Sequence, residues 1–169
     1  MDLFASSWNA QLSRFVSWTP QPGAWRVNAM SFGWRGLDGY AFPPFPLIAN
    51  RLSKMRQEGS EVILVCPFWP TQSWFPLLLE MACEPPMVFL PRPNLFMSSQ
   101  GELQPLCRTA SFRLSARRLS GTTSAAREFR KRLSAFCLPH PARIQELPIS
   151  QHGTYGVAGV FEAVEILTL

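Results

Sequence analysis

The segment Tyr40-Ala41-Phe42-Pro43-Pro44-Phe45 constrains the fold of this chain more than any other. A short apolar run ends there in two prolines and an aromatic. Proline has no N–H and holds φ at about −65°, so a Pro-Pro pair ends a strand rigidly. A helical pattern follows at once. Leu47, Ile48, Leu52 and Met55 recur at helical spacing, Arg51, Lys54 and Arg56 fall mainly on other faces, and Gly59 offers a stop. Next comes Val62-Ile63-Leu64-Val65-Cys66, β-branched and apolar as a central strand should be, ended by Pro67. A second helical pattern carries Trp74, Leu77, Leu78 and Met81, with Thr71 or Ser73 as its cap and Pro76 in its first turn. Met87-Val88-Phe89-Leu90 then stops at Pro91. The alternation predicts parallel strands at 38–42, 61–66 and 86–90 with right-handed crossovers. Open α/β sheets place ligands beyond the carboxyl ends of their strands. The ligand edge should therefore be built from Phe42–Phe45 and Pro67–Trp69.

The rest of the chain is less regular. Asp2-Leu3-Phe4-Ala5 looks like the end of a buried strand whose beginning is missing. Residues 6–37 are rich in Trp, Pro, Ser and Gly without a sustained period, which predicts loop with a short helix or turn. Ser111 to Leu119 alternates at its start and suggests an edge strand; residues 124–137 suggest a basic helix. Beyond Pro139 the only apolar pattern runs from Val157 to Leu167. Sixteen prolines in 169 residues are nearly twice the average use of about 5%, so interrupted elements are expected. A length of 169 residues suits one domain. We expect a domain over 1–138 with its core at 38–96, and a Pro-rich, disordered tail over 139–169.

Charge and cysteine usage narrow the function classes. The window from Arg108 to Arg132 holds eight Arg/Lys (Arg108, Arg113, Arg117, Arg118, Arg127, Arg130, Lys131 and Arg132) against one acid, Glu128. It carries +7 in a chain of net +5, which leaves −2 elsewhere. Such a cluster can neutralise phosphates, although no aromatic platform interleaves it. Cys66, Cys83, Cys107 and Cys137 are widely spaced, with no C-x-x-C pair and no neighbouring His, so a metal site is not expected. His140 and His152 stand twelve residues apart without a ligand partner. Met1-Asp2-Leu3-Phe4 is not the basic opening of a signal peptide. No apolar run approaches the roughly 20 residues needed to cross a bilayer. The expectation is a cytoplasmic or nuclear chain with free thiols and no membrane partner.

Further residues carry a resemblance. Asp2-Leu3-Phe4-Ala5-Ser6, Phe15-Val16-Ser17-Trp18, Pro22-Gly23-Ala24-Trp25, Trp34, Gly36-Leu37, Tyr40 to Ile48, Val62-Ile63-Leu64-Val65 and Trp69-Pro70-Thr71-Gln72 with Trp74-Phe75 resemble one block of DIRS-type retrotransposons, the tyrosine-recombinase retroelements. It lies downstream of their reverse transcriptase and RNase H domains, and the likeness covers roughly residues 2–135. That block in turn resembles phage-type adenine DNA methyltransferases. The resemblance implies a truncated Rossmann-like, methyltransferase-type sheet, mostly parallel, with a loosely structured basic C-terminal part. It also implies that Asp2 and Ala5 stand at the S-adenosylmethionine pocket, Trp34 and Gly36 in a Trp-x-Gly motif, and Phe42, Pro43, Pro44 and Phe45 in the loop that receives the target base.

The chain departs from the family at Phe42, where Asp or Asn accepts hydrogen bonds from the adenine amine, and at Asn28, where an Asp is usual in the retroelement block. A phenyl ring supplies no acceptor. The expectation is a degenerate retroelement fragment that is methyltransferase-like, has no catalytic residue and no cofactor, and binds DNA or RNA nonspecifically. The alternatives are an active S-adenosylmethionine-dependent adenine DNA methyltransferase, or a basic nucleic-acid-binding module of a reverse-transcriptase complex.

Overall fold

The computed structural model describes residues 1–89 and 112–136. The elements run in the order β1 (Val16–Ser17), β2 (Arg26–Val27), β3 (Gly39–Ala41), α1 (Ile48–Glu58), β4 (Glu61–Pro67), α2 (Phe75–Met81), β5 (Met87–Phe89), β6 (Leu114–Ser120) and α3 (Thr123–Phe136). Tight 3-10 turns at Ala29–Ser31 and Phe45–Leu47 precede β3 and α1. The fold is mixed α/β.

Four strands form a sheet in the order β3-β4-β6-β5, and β1 with β2 forms a parallel pair. Asp2 joins the two through parallel bridges to Phe15 and Tyr40. β3 and β4 are parallel, with Tyr40 opposite Ile63. β6 is antiparallel to both β4 and β5, so β3, β4 and β5 share one direction. The sheet expected to be mostly parallel is mixed: β6 separates β5 from β4, and of its three pairings only β3 with β4 is parallel. The strand expected at the edge over 111–119 is instead central over Leu114–Ser120, and all seven of its residues pair with β4. The region expected to be loop before residue 38 also contains β1 and β2, each two residues long.

Strand alternation divides the sheet into two faces. Leu3, Ala41, Val62, Leu64, Cys66 and Leu119 point to one side. There they pack with Ile48, Leu52 and Met55 of α1, Phe75, Leu78 and Met81 of α2, and Phe129 of α3. Each Val, Leu, Ile, Met or Phe among them contributes about 1.5–3 kcal/mol by burial. On the other side a smaller cluster of Val65, Phe112 and Leu114 packs with Tyr40, Phe42, Phe45, Trp69 and Phe89. α1 ends as its sequence indicates: Gly59 adopts φ 63° and its N–H donates to the Met55 carbonyl. α2 begins without a side-chain cap, so Thr71 and Ser73 do not serve as one, while Pro76 does fall in its first turn. Arg51 is not on an outer face as expected; it is 3% exposed, with its guanidinium 5.2 Å from the Phe4 ring centre.

No helix among the described residues is long and apolar enough to cross a membrane. The tail expected over 139–169, its apolar pattern at 157–167, Arg108, Cys107, Cys137, His140 and His152 lie outside the described residues, as do residues 90–96 of the expected core.

Candidate ligand crevice at the carboxyl edge of the sheet

The chain order creates a switch point. From the segment at Asp2 the chain moves to one side for β1 and β2, then crosses to the other side of Asp2 for β3 and β4. Strand order reverses between the Asp2 segment and β3. In open α/β sheets the crevice outside the carboxyl ends at such a point receives ligands. The residues at those ends here are Phe4, Ala5 and Ser6, then Trp18 after β1, and Phe42-Pro43-Pro44 after β3.

Two clefts occupy this edge. One, of about 340 Å³, is lined by Leu3, Ala5, Ser6, Ser17, Trp18, Ala29, Pro44 and Leu47, with Val16 behind them. The other, of about 460 Å³, is lined by Asp2, Gln11, Tyr40, Phe42, Val65 and Phe89, with Leu114 and Ala116 of β6. Phe4 and Asn9 line both. A third cleft of about 490 Å³ lies at the opposite, amino ends of β3 and β4, beside Asp38, Glu61 and Arg118. It is about as large as the second, yet it is remote from the switch point.

Asp2 and Ala5, expected at a cofactor pocket, do flank this edge, but they fall in different clefts. Asp2 is 5% exposed, and its Oδ1 accepts the Phe4 N–H at 3.0 Å. Burial pushes its carboxyl above the ordinary range, opposed by the Phe4 bond and the N-terminal ammonium. Burial, and then the Asp2 charge, raises the Tyr40 hydroxyl likewise.

The loop Phe42-Pro43-Pro44-Phe45 lies where the sequence places it, at the carboxyl end of β3. Its aromatics are committed to packing. Phe45 meets Trp69 edge-on at 5.3 Å, Phe112 at 6.4 Å and Phe42 at 6.2 Å. Pro43 is fully buried, and the Pro44 carbonyl accepts the Leu47 N–H at 2.9 Å. Trp34, of the Trp-x-Gly motif, is completely buried; its indole N–H donates to the Ala29 carbonyl at 2.6 Å and its backbone N–H to Glu58. Trp34 is therefore a core residue. Asn28 caps the turn at Ala29–Ser31 by accepting the Met30 N–H.

The basic cluster does not form one face. Arg117 and Arg118 are neighbours on a strand and point to opposite sides. Arg117 is 2% exposed beneath α2, its guanidinium 6.0 and 5.8 Å from the Phe68 and Phe75 ring centres. Its Nε donates to Ser115 Oγ, while its Nη2 has no partner. Burial lowers its pKa, and burial pushes the adjacent Cys66 thiol up to about 11 despite the Arg117 charge and a bond to Ser115. Arg118 lies 3.9 Å from Glu61 and 3.8 Å from Glu84. Arg130 donates to the Glu80 carbonyl. Arg113 is exposed beside β6, and Arg127, Lys131 and Arg132 are exposed on α3.

The sequence reading missed a different basic site. Arg14 and Arg26 lie over the Trp25 ring at 4.5 and 4.7 Å. Among the described residues no three His, Cys, Asp or Glu side chains come together in a group that could hold a metal. Comparison with protein-family models, with curated proteins and with solved structures finds no match.

Proposed function

We propose that the chain is a methyltransferase-like module of retroelement origin that performs no methyl transfer and associates with nucleic acid nonspecifically. The observation that carries this reading is the position and packing of Phe42–Phe45. The loop borders the point where strand order reverses in a mixed sheet, and the methyltransferase resemblance puts the target base at such a loop. Methyl transfer to adenine needs the amine held in line with the methyl donor. Acceptors aimed at its N–H groups do the holding. Phe42 supplies none, and losing one positioned polar group costs about 10²–10³ in rate. The aromatic that would stack on the base, Phe45, is already packed edge-on against Trp69 and tilted against Phe112.

The cofactor fits poorly as well. The crevice of about 340 Å³ is lined by no charged side chain, so the sulfonium and ammonium of S-adenosylmethionine would meet no counter-charge in it. Among the described residues, the only carboxyl lining either cleft at this edge, Asp2, belongs to the other one and is engaged by the Phe4 N–H. No step is therefore assigned to the cofactor.

The test measures transfer of labelled methyl from S-adenosylmethionine to DNA, for wild type and for Phe42→Asn, beside equilibrium dialysis of the cofactor. Wild type should transfer nothing. Transfer by wild type at the rate of Phe42→Asn would overturn the account of this loop.

A further inference from the structure

We propose that the surface formed by Trp8, Trp18, Trp25, Arg14 and Arg26 binds single-stranded nucleic acid, with the arginines on phosphates and the exposed indoles on bases. The inference rests on the nucleic-acid part of the reading above and gives it a site away from the basic cluster.

Three observations carry it. First, charge: residues 1–37 contain Arg14, Arg26 and Arg35 and a single acid, Asp2, which is buried. Second, preorganisation: Arg14 and Arg26 both lie against Trp25, and Arg26 also lies 4.9 Å from the Phe32 ring centre. Trp25 is fixed in turn by its edge contact with Phe32 and by its N–H bond to the Phe15 carbonyl. Both arginines are exposed, and among the described residues neither has a carboxylate or carbonyl partner. A guanidinium resting on an indole sets its charge against the ring face and leaves N–H donors free for a phosphate, which arginine can grip bidentately. Third, stacking: Trp8 and Trp18 are 66% and 65% exposed. Large solvated rings beside a cationic track are what sequence-tolerant single-strand binders use.

These parts are adjacent. Trp25 is tied to the start of β1 and Trp18 follows its end, three residues on, or about 10 Å along the strand. The Ser7 N–H donates to Gln21 Oε1 at 2.7 Å, which ties the Trp8 loop to the loop after Trp18. The indole end also borders the switch-point crevice, since Trp18 lines it. A strand gripped by the arginines would thus lead its bases toward that edge. Duplex DNA, with its bases stacked inside, offers the indoles nothing comparable.

The test is fluorescence anisotropy of the full chain with a labelled oligothymidylate of about 12 nucleotides, at about 50 and about 200 mM salt. Wild type should bind with salt-dependent affinity, and more tightly than it binds duplex. Arg14→Ala with Arg26→Ala should weaken binding and reduce the log–log salt slope by about 1.4, at about 0.7 per phosphate contact. Trp8→Ala with Trp18→Ala should weaken binding roughly 5- to 100-fold per base stacked and leave the slope unchanged. Arg14→Lys with Arg26→Lys keeps the charge and should hold the slope, which separates loss of charge from damage to the fold. If these variants bind like wild type while Arg127→Ala with Lys131→Ala and Arg132→Ala abolishes binding, this site is wrong and the nucleic-acid reading stands. If wild type binds no oligonucleotide at low salt, both are wrong.

Discussion

Among the described glycines, Gly121→Ala should be the most damaging substitution. Gly121 lies in the turn between β6 and α3, and its N–H donates to the Ser60 carbonyl at 2.8 Å. A Cβ at this position would stand 2.0 Å from the Met55 carbonyl oxygen, 2.8 Å from its carbon and 2.9 Å from the Gly59 Cα. All three are backbone atoms, so no side chain can swing aside. The Met55 carbonyl also accepts the Gly59 and Ser60 N–H groups that close α1. A shift of roughly 1 Å is needed to restore contact distance, and it strains both the helix end and the Gly121–Ser60 bond. Overpacking alone costs about 1–3 kcal/mol, and each weakened hydrogen bond about 1 kcal/mol. With two hydrogen-bonded sites strained, the sum is about 3–5 kcal/mol. At about 2–4 °C per kcal/mol for a chain of this size, Tm should fall by roughly 6–20 °C. Two other glycines serve as controls for thermal unfolding followed by circular dichroism. Gly33 has nothing within 4 Å of its would-be Cβ, so Gly33→Ala should be near neutral. Gly36 has the same open space but φ +74°, so Gly36→Ala should cost about 1–2 kcal/mol from backbone strain alone. If Gly121→Ala melts within about 2 °C of Gly33→Ala, the close approach of β6 to the end of α1 is wrong.

Cys66 should make stability fall at alkaline pH. Its folded pKa of about 11 lies above the ordinary 9.0, so its contribution is complete below about pH 8.5 and is lost as pH rises toward 11, by about 2–3 kcal/mol at most. Urea titrations at several pH values should show a flatter profile across that window for Cys66→Ala; an unchanged slope would refute the burial argument. Arg117→Met removes a buried cation whose Nη2 has no partner and should be neutral or stabilising in urea, with a loss above about 2 kcal/mol counting against it. Because Arg117 lowers the Cys66 pKa, the same variant should move the alkaline window upward. For Asp2 the folded pKa is also raised, so stability from its protonated form is complete at acid pH and lost as pH rises through the folded value. Asp2→Asn keeps an acceptor for the Phe4 N–H and should be neutral or mildly stabilising at pH 7; a loss above about 1 kcal/mol would assign the carboxylate a role that the structure does not show.

What the sequence disclosed and what it hid follow from how each element is held. β4 and α1 were legible because a β-branched run and a glycine stop act locally: Glu61–Pro67 and the left-handed Gly59 lie where the pattern puts them. The Phe42–Phe45 loop was legible for the same reason, since two prolines end a strand whatever surrounds them. β1 and β2 were not legible, because two residues are too few to show a period; they exist through the hydrogen bonds of Val16 to Asp2 and of Asn28 to Ser17. β6 was legible as a strand but not as a central one. Its Ser-Ala-Arg-Arg run looks solvated, and only pairing with β4 over its whole length places Arg117 under the helices.

That placement also settles how a basic window should be weighed. On a strand, adjacent charges go to opposite faces, so one of the two central arginines is lost to the core and the other is held between Glu61 and Glu84. A count of +7 over a window therefore overstates the charge available to a partner. Arg14 and Arg26 are only two residues, twelve apart in sequence, yet the Trp25–Phe15 backbone bond brings them to one ring. Tertiary structure weakens the cluster that composition favours and assembles one that no window contains. The binding site proposed above is drawn from the second, whose two arginines are exposed and, among the described residues, have no carboxylate partner.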